Sequence, residues 1–216
     1  MKITHTLVAL LTLGSTLLCD LPGQEKELID ALTKVDATGT GNEQAVRAWP
    51  AVQKLDASAV PKLLEAMNKA NDLGDNWIRS AISEILDRDK TGFPEEQILT
   101  ILKNDRNTGS SRKLAFEIIR EHKPKLADSL TPEFNDDREP TLRRLAVTKL
   151  LESAREAQKP EEAKALFEKV LSKGREVDQI KEAKVAFRKG APCMICSSRE
   201  KSPGQGYGCS PFSGVN

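Results

Sequence analysis

The residues best equipped for chemistry in this chain are three cysteines near its end. In "APCMICSSREKSPGQGYGCSPF", Cys193 and Cys196 form a C-x-x-C, and Cys209 follows after twelve intervening residues. That spacing can serve zinc binding, thiol–disulfide exchange or haem attachment. Each use has a requirement the sequence leaves unmet. Structural zinc takes four ligands, and no Cys or His follows Cys209, so the fourth would be the distant His122. Ser197 stands where haem attachment needs histidine. No βαβ pattern surrounds the pair, as a thioredoxin-like site would have. Three cysteines in an exported chain allow one disulfide and leave one thiol over.

Other candidates also resolve into simpler explanations. "DRDKTGFPEEQI" opens like a calcium loop with Asp87, Asp89, Thr91 and Gly92, but its twelfth position is Ile98 rather than a bidentate Glu, and Pro94 interrupts it. The expected reading is a helix that stops at Gly92 and a new one that starts at Pro94. "TGTGN", with Gly39 and Gly41, lacks the Lys-Ser/Thr of a P-loop and reads as a connection between helices. Glu95–Glu96 and Glu161–Glu162 follow prolines in first helical turns, where the helix dipole favours negative charge. His122 lies near a helix end, where a cation is favoured, and no Gly-x-Ser-x-Gly elbow exists. No catalytic residue, metal ligand or cofactor is assigned.

The elements that would position any site are helical. Aromatics make up 4% of the chain, and the abundant Ala, Leu, Lys and Glu lose little side-chain entropy in helices. Lys and Arg total 33 against 32 Asp and Glu, so the basic excess of a nucleic-acid binder is missing. At the start, Lys2 precedes an apolar run from Leu7 to Leu18. Twelve helical residues cover about 18 Å, too little for a hydrocarbon core of about 30 Å. Residues 1–23 are therefore expected to be an export signal, cut near Gly23, with Cys19 lost alongside it. No later segment is long and apolar enough to span a membrane, and with that signal removed the mature chain is expected in the periplasm or at the cell surface.

Three stretches align without gaps: "DLGDNWIRSAISEIL", "DRNTGSSRKLAFEII" and "DDREPTLRRLAVTKL". Each carries an Asp seven residues before an Arg: Asp72 and Arg79, Asp105 and Arg112, Asp136 and Arg143. Two, three and seven residues after each Arg the chain is apolar: Ala81, Ile82, Leu86; Leu114, Ala115, Ile119; Leu145, Ala146, Leu150. The Args step by 33 and then 31 residues. An apolar stripe precedes each Asp, so each unit reads as helix, turn, helix. Pro61, Pro94, Pro140 and Pro160 mark helix starts, Pro50 and Pro132 mark kinks, and Gly174 and Gly190 mark stops. Weaker pairs flank the three units. The fold is expected to be all-α, a solenoid of about four to five antiparallel helix pairs over residues 24–190, stacked into one continuous core.

Unit length, paired helices and the recurring Asp-turn-Arg pattern resemble HEAT-like repeats. "GTGNEQAVRAWPAV" followed by "ASAVPKLLEAMNKANDLGDNWIRSAI" is similar to the N-terminal helical segment of a group of exported bacterial proteins. The resemblance covers about residues 24 to 190 and speaks to fold far more than to function. Longer relatives continue into further domains, which implies that this chain has lost them or never had them.

The Args sit at the edge of the buried stripe, since helical offsets of three and seven fall within about 60° of them. Each is expected to be clasped by the Asp of its own turn within the fold, rather than to form a basic ladder for an anionic partner. By resemblance to HEAT arrays, the second helices line a concave face. Ser80, Ser83, Lys113, Glu117, Arg144 and Thr148 would point outward there, a mixed polar surface suited to a protein or extended peptide. After Gly190 the composition shifts to Gly, Ser, Pro and Cys without helical period. Residues 191–216 are expected to be a disordered tail foreign to the repeats, from truncation or an out-of-frame end. The function expected is a non-catalytic protein-interaction scaffold of the cell envelope. Its alternative is the helical accessory module of a larger secreted enzyme or carbohydrate-binding protein, cut short here.

Overall fold

In the computed structural model, residues 22–89 and 92–188 are described. Among them the chain is all-helical. It forms α1 (Pro22–Thr33), α2 (Asn42–Val52), α3 (Val60–Ala66), α4 (Asp72–Arg88), α5 (Glu95–Lys103), α6 (Gly109–His122), α7 (Pro124–Leu130), α8 (Pro140–Glu156), α9 (Pro160–Lys173) and α10 (Val177–Arg188). Short 3-10 turns at Ala57–Ala59 and Thr131–Asp136 lead into α3 and out of α7. The export signal expected over 1–23 falls outside these residues except for Pro22 and Gly23, which open α1. Gly190, the tail at 191–216 and all four cysteines also lie outside them.

Local chemistry explains where the helices begin. Pro61 is in the first turn of α3, and Pro140 and Pro160 are the first residues of α8 and α9, where a missing N–H costs no helical bond. Pro94 directly precedes α5. The Asn71 side chain accepts from the Leu73 and Gly74 amides at 2.9 and 3.1 Å to cap α4. Pro132 falls where α7 tightens into its 3-10 turn, and Thr131 Oγ1 there donates back to the Ala127 carbonyl at 2.8 Å. Pro50 lies inside α2, two residues before its end. The glycine-rich connection after α1 is a closed turn. Asp36 accepts from the amides of Thr38 (2.8 Å) and Thr40 (3.1 Å), while Gly39 and Gly41 take φ of 87° and 81°.

The described chain divides into two compact units, one running to Ile101 and one from Leu102. In the first, α1 packs on α2, α3 and α4, and α3 packs on α4. Leu32, Leu63, Leu64, Ile78, Ile82, Ile85 and Ile98 are its large, fully buried side chains of aliphatic type. Gly74 lets α4 approach α1 closely: a Cβ there would lie 3.2 Å from the Leu32 and Thr33 carbonyl oxygens. In the second unit α6 packs on α7, the 3-10 turn after α7 packs on α8, and α8, α9 and α10 pack on one another. Val147, Leu151, Ala154, Ala163, Phe167, Val170 and Ala183 form the seam of those last three helices.

The aliphatic positions expected to face inward do so in α4 and α6, where Ala81, Ile82, Leu86, Leu114, Ala115 and Ile119 are buried. The third helix departs from the pattern. Leu145 and Leu150 are only half-buried, while Leu142, Val147 and Leu151 take the interior. In α8, contact with α9 and α10 turns the buried stripe toward them.

Candidate functional site

Two arginines of the repeat, Arg112 and Arg143, are held inside the fold, but not by the carboxylates that the spacing suggested. Arg112 is buried on α6. Its Nε donates to the Leu102 carbonyl at 2.8 Å, and its two terminal nitrogens meet both oxygens of Asp137, the first contact being 2.7 Å. Asp137 Oδ1 also accepts from the Glu139 amide at 2.8 Å, which fixes the carboxylate ahead of α8. Arg143, buried on α8, donates to the Asp137 main-chain carbonyl at 2.6 Å. One residue thus joins two successive arginines.

Three expected pairings need correction. Asp105 is exposed in its turn, and Arg112 reaches past it to the turn of the next helix pair. Asp136 is exposed and pairs with Lys173, not with Arg143. Asp72 lies within α4 rather than before it, so seven residues, about 10 Å of helix rise, separate it from the half-buried Arg79. For Arg112 the cause is packing: a long, flexible arginine at a stripe edge bonds the fixed acceptors beside it, here the Leu102 carbonyl of α5 and the Asp137 carboxylate ahead of α8.

Four of the six residues expected on an outward polar face come together in the second unit. Lys113 and Glu117 of α6 and Arg144 and Thr148 of α8 rim a cleft of about 200 Å³, with Arg120 and Thr141 at its ends. Phe116, Leu142 and Leu145 form the floor. Phe116 is fixed edge-on against Phe134, ring centres 5.3 Å apart at 85°. Small-molecule pockets usually measure about 300–1,000 Å³, so this cleft has room for about one large side chain. Ser80 and Ser83 are exposed on α4 in the first unit, and the Ser80 hydroxyl donates to its own helix at the Asn76 carbonyl, 2.9 Å away.

The rim is electrostatically organised. Arg144 forms a two-pronged pair with Asp178 of α10, one contact at 3.0 Å, and has Glu176 at 3.9 Å. The bond from Arg144 holds the Asp178 carboxyl below the usual carboxylate range, and the bond to Asp178 raises the Arg144 guanidinium in turn. Both groups are well exposed, so the pair orients the rim more than it stabilises the fold. Lys113 and Glu117 face each other at 3.9 Å. Beneath the rim, the buried Gln179 amide donates to the Arg144 carbonyl at 2.9 Å and to Thr148 Oγ1 at 2.8 Å. The Thr148 hydroxyl therefore accepts from α10 and keeps its own proton for a bond elsewhere.

The sequence reading missed the two tryptophans as a pair. Trp49 of α2 and Trp77 of α4 meet edge to face, 5.3 Å between centres at 71°, and both remain half-buried. Val46 and Leu73, one turn ahead of them, are exposed at 59% and 40%. Only its contact with Trp49 of α2 makes Trp77 part of a surface patch.

Among the described residues no group of three or more His, Cys, Asp or Glu is arranged to hold a metal ion, and no helix is long and apolar enough to cross a membrane. Comparison with known proteins finds no matching family model, no matching curated protein and no matching solved structure.

Proposed function

We propose that this protein is a non-catalytic interaction scaffold of the cell envelope, exported by its N-terminal segment and built as a HEAT-like α-solenoid. The observation that carries the reading is the cleft between α6 and α8. Its apolar floor includes Phe116 packed edge-on against Phe134, its rim offers three cations and one carboxylate, and its volume suits a side chain of a protein or extended peptide. The repeat supports it as well, since helices bearing the same arginine register present equivalent positions side by side. Lys113 and Arg144 each follow the repeat arginine by one residue, and Glu117 and Thr148 by five. A partner chain laid across α6 and α8 would meet alternating polar contacts of matched spacing around a central apolar anchor.

The test is capture from envelope extract with the mature full chain as bait, in wild type and Leu145→Glu forms, with helicity of both checked by circular dichroism. Leu145 is half-buried in the cleft floor, so a carboxylate there opposes an apolar anchor while leaving the buried face of α8 intact. A partner retained by wild type and lost by roughly tenfold or more with the variant supports the reading. Identical capture by both forms would remove the cleft from it.

A further inference from the structure

Five large hydrophobic side chains of the described chain are markedly exposed, and four fall on two surfaces: Val46 and Leu73 beside the tryptophan pair, and Val177 and Val185 on α10, while Phe187 lies beneath Lys164 of α9. Along α4 the first surface is acidic, and Arg47 of α2 is paired with Glu43 of its own helix. Trp49 and Trp77 touch, and just past the end of α2 Gln53 Nε2 lies 3.5 Å from Glu84, farther along α4. Both contacts advance in the same direction, so α2 and α4 run side by side and their exposed aliphatics lie at the same end. The exposed groups continuing this face of α4 are Ser80, Glu84 and Asp87. The one exposed cation of α4, Arg88, is engaged with the Leu55 carbonyl.

The second surface is basic. Val177, Lys181, Lys184, Val185 and Arg188 recur at helical spacing on the exposed side of α10, opposite the buried Gln179 and Ala183. The acids of this helix are already engaged, Asp178 by Arg144 and Glu182 by Arg155. Its outward charge is therefore positive, interleaved with valine. Lysine and arginine are attracted to tryptophan faces and to carboxylates, and their aliphatic stems cover apolar surface. Each surface carries what the other lacks.

We propose that the protein self-associates head to tail, the exposed face of α10 in one copy docking on the Trp49–Trp77 surface of another. Such an interface joins two different patches, so one contact leaves a patch open on each copy, to be filled by further copies or by a reciprocal contact. It extends beyond the scaffold reading and uses neither the floor nor the rim of the cleft.

Sedimentation velocity of the mature full chain over about a hundredfold range of concentration tests it. The species should grow in mass as concentration rises. Tryptophan emission should shift to the blue in step, since the chain has two tryptophans and both lie in the interface. Trp77→Ala should weaken association roughly tenfold. Glu84→Lys with Asp87→Lys, or Lys181→Glu with Lys184→Glu, should each abolish it through exposed positions that the fold does not need, and mixing these two charge-reversed proteins should restore it. Leu145→Glu should leave it unchanged, which separates its outcome from that of the cleft test. A chain that stays monomeric throughout, or assembly indifferent to both reversals, overturns the proposal. So does a surface that binds a basic, aliphatic peptide of foreign sequence while the chain itself remains monomeric.

Discussion

At the scale of single residues, the decisive contact is the fork of Arg112 on Asp137, with side chains 7% and 8% exposed. A buried ion pair is costly to make and costlier to break, because the remaining partner is left charged and desolvated. Arg112→Ala is expected to lose about 3–5 kcal/mol in denaturant unfolding, and Asp105→Asn to change stability by no more than about 0.5 kcal/mol. A double-mutant cycle should give strong coupling between Arg112 and Asp137 and none between Arg112 and Asp105. The reverse outcome would return the clasp to the turn of its own helix pair. The sequence marked Arg112 and Arg143 as stripe-edge residues, and both are buried. It did not reveal their acceptors, since Arg112 finds Asp137 in the turn of the next helix pair and Arg143 finds a main-chain carbonyl, neither of which spacing within one unit encodes.

At the scale of elements, helix starts were legible because their causes are local. Proline at a first turn acts within a few residues, and so do the acidic pairs of α5 and α9. The connection from α1 to α2 shows the same locality with a steric component. A Cβ on Gly41 would lie 2.4 Å from the Lys34 carbonyl oxygen, whereas one on Gly39 meets nothing closer than 3.8 Å. Both positions have positive φ, which costs an L-residue about 1–2 kcal/mol. Gly39→Ala should lower thermal stability by that backbone cost alone, and Gly41→Ala by distinctly more. Equal losses would mean that the turn can shift away from α1. What local patterning could not supply is how α8 is rotated. Its period admits more than one buried stripe, and contact with α9 and α10 selects the one that leaves Leu145 half-buried in the cleft floor.

At the scale of the whole molecule, charge is nearly balanced at neutral pH, and in acid the loss of carboxylate charge leaves 33 Lys and Arg uncompensated, a repulsion to which particular groups add. Thr38 beside Asp36, and Arg144 beside Asp178, hold those two carboxyls below the ordinary value of about 3.9. A carboxyl depressed in the folded state adds stability that is complete above its unfolded value and is lost as pH falls through the folded one. Thermal melts should therefore hold from neutrality down to the ordinary carboxylate range and decline below it. Asp36→Asn and Asp178→Asn should each flatten that decline, and an unchanged acid limb in both variants would show that other carboxyls govern it. The same balance of charge hides two oppositely charged surfaces, on α4 and on α10, whose signs cancel in any composition.

The sequence by itself determined that the described chain is helical, where most of its helices begin, and which aliphatic residues of α4 and α6 face inward. These follow from periodicity, capping and proline chemistry, forces that act over one or two turns of chain. Tertiary structure alone decided that Asp137 bridges two arginines, that Lys113, Glu117, Arg144 and Thr148 share one cleft, and that Trp49 meets Trp77. Each of those depends on the rotation and offset between helices, which side-chain packing sets and which no local pattern encodes.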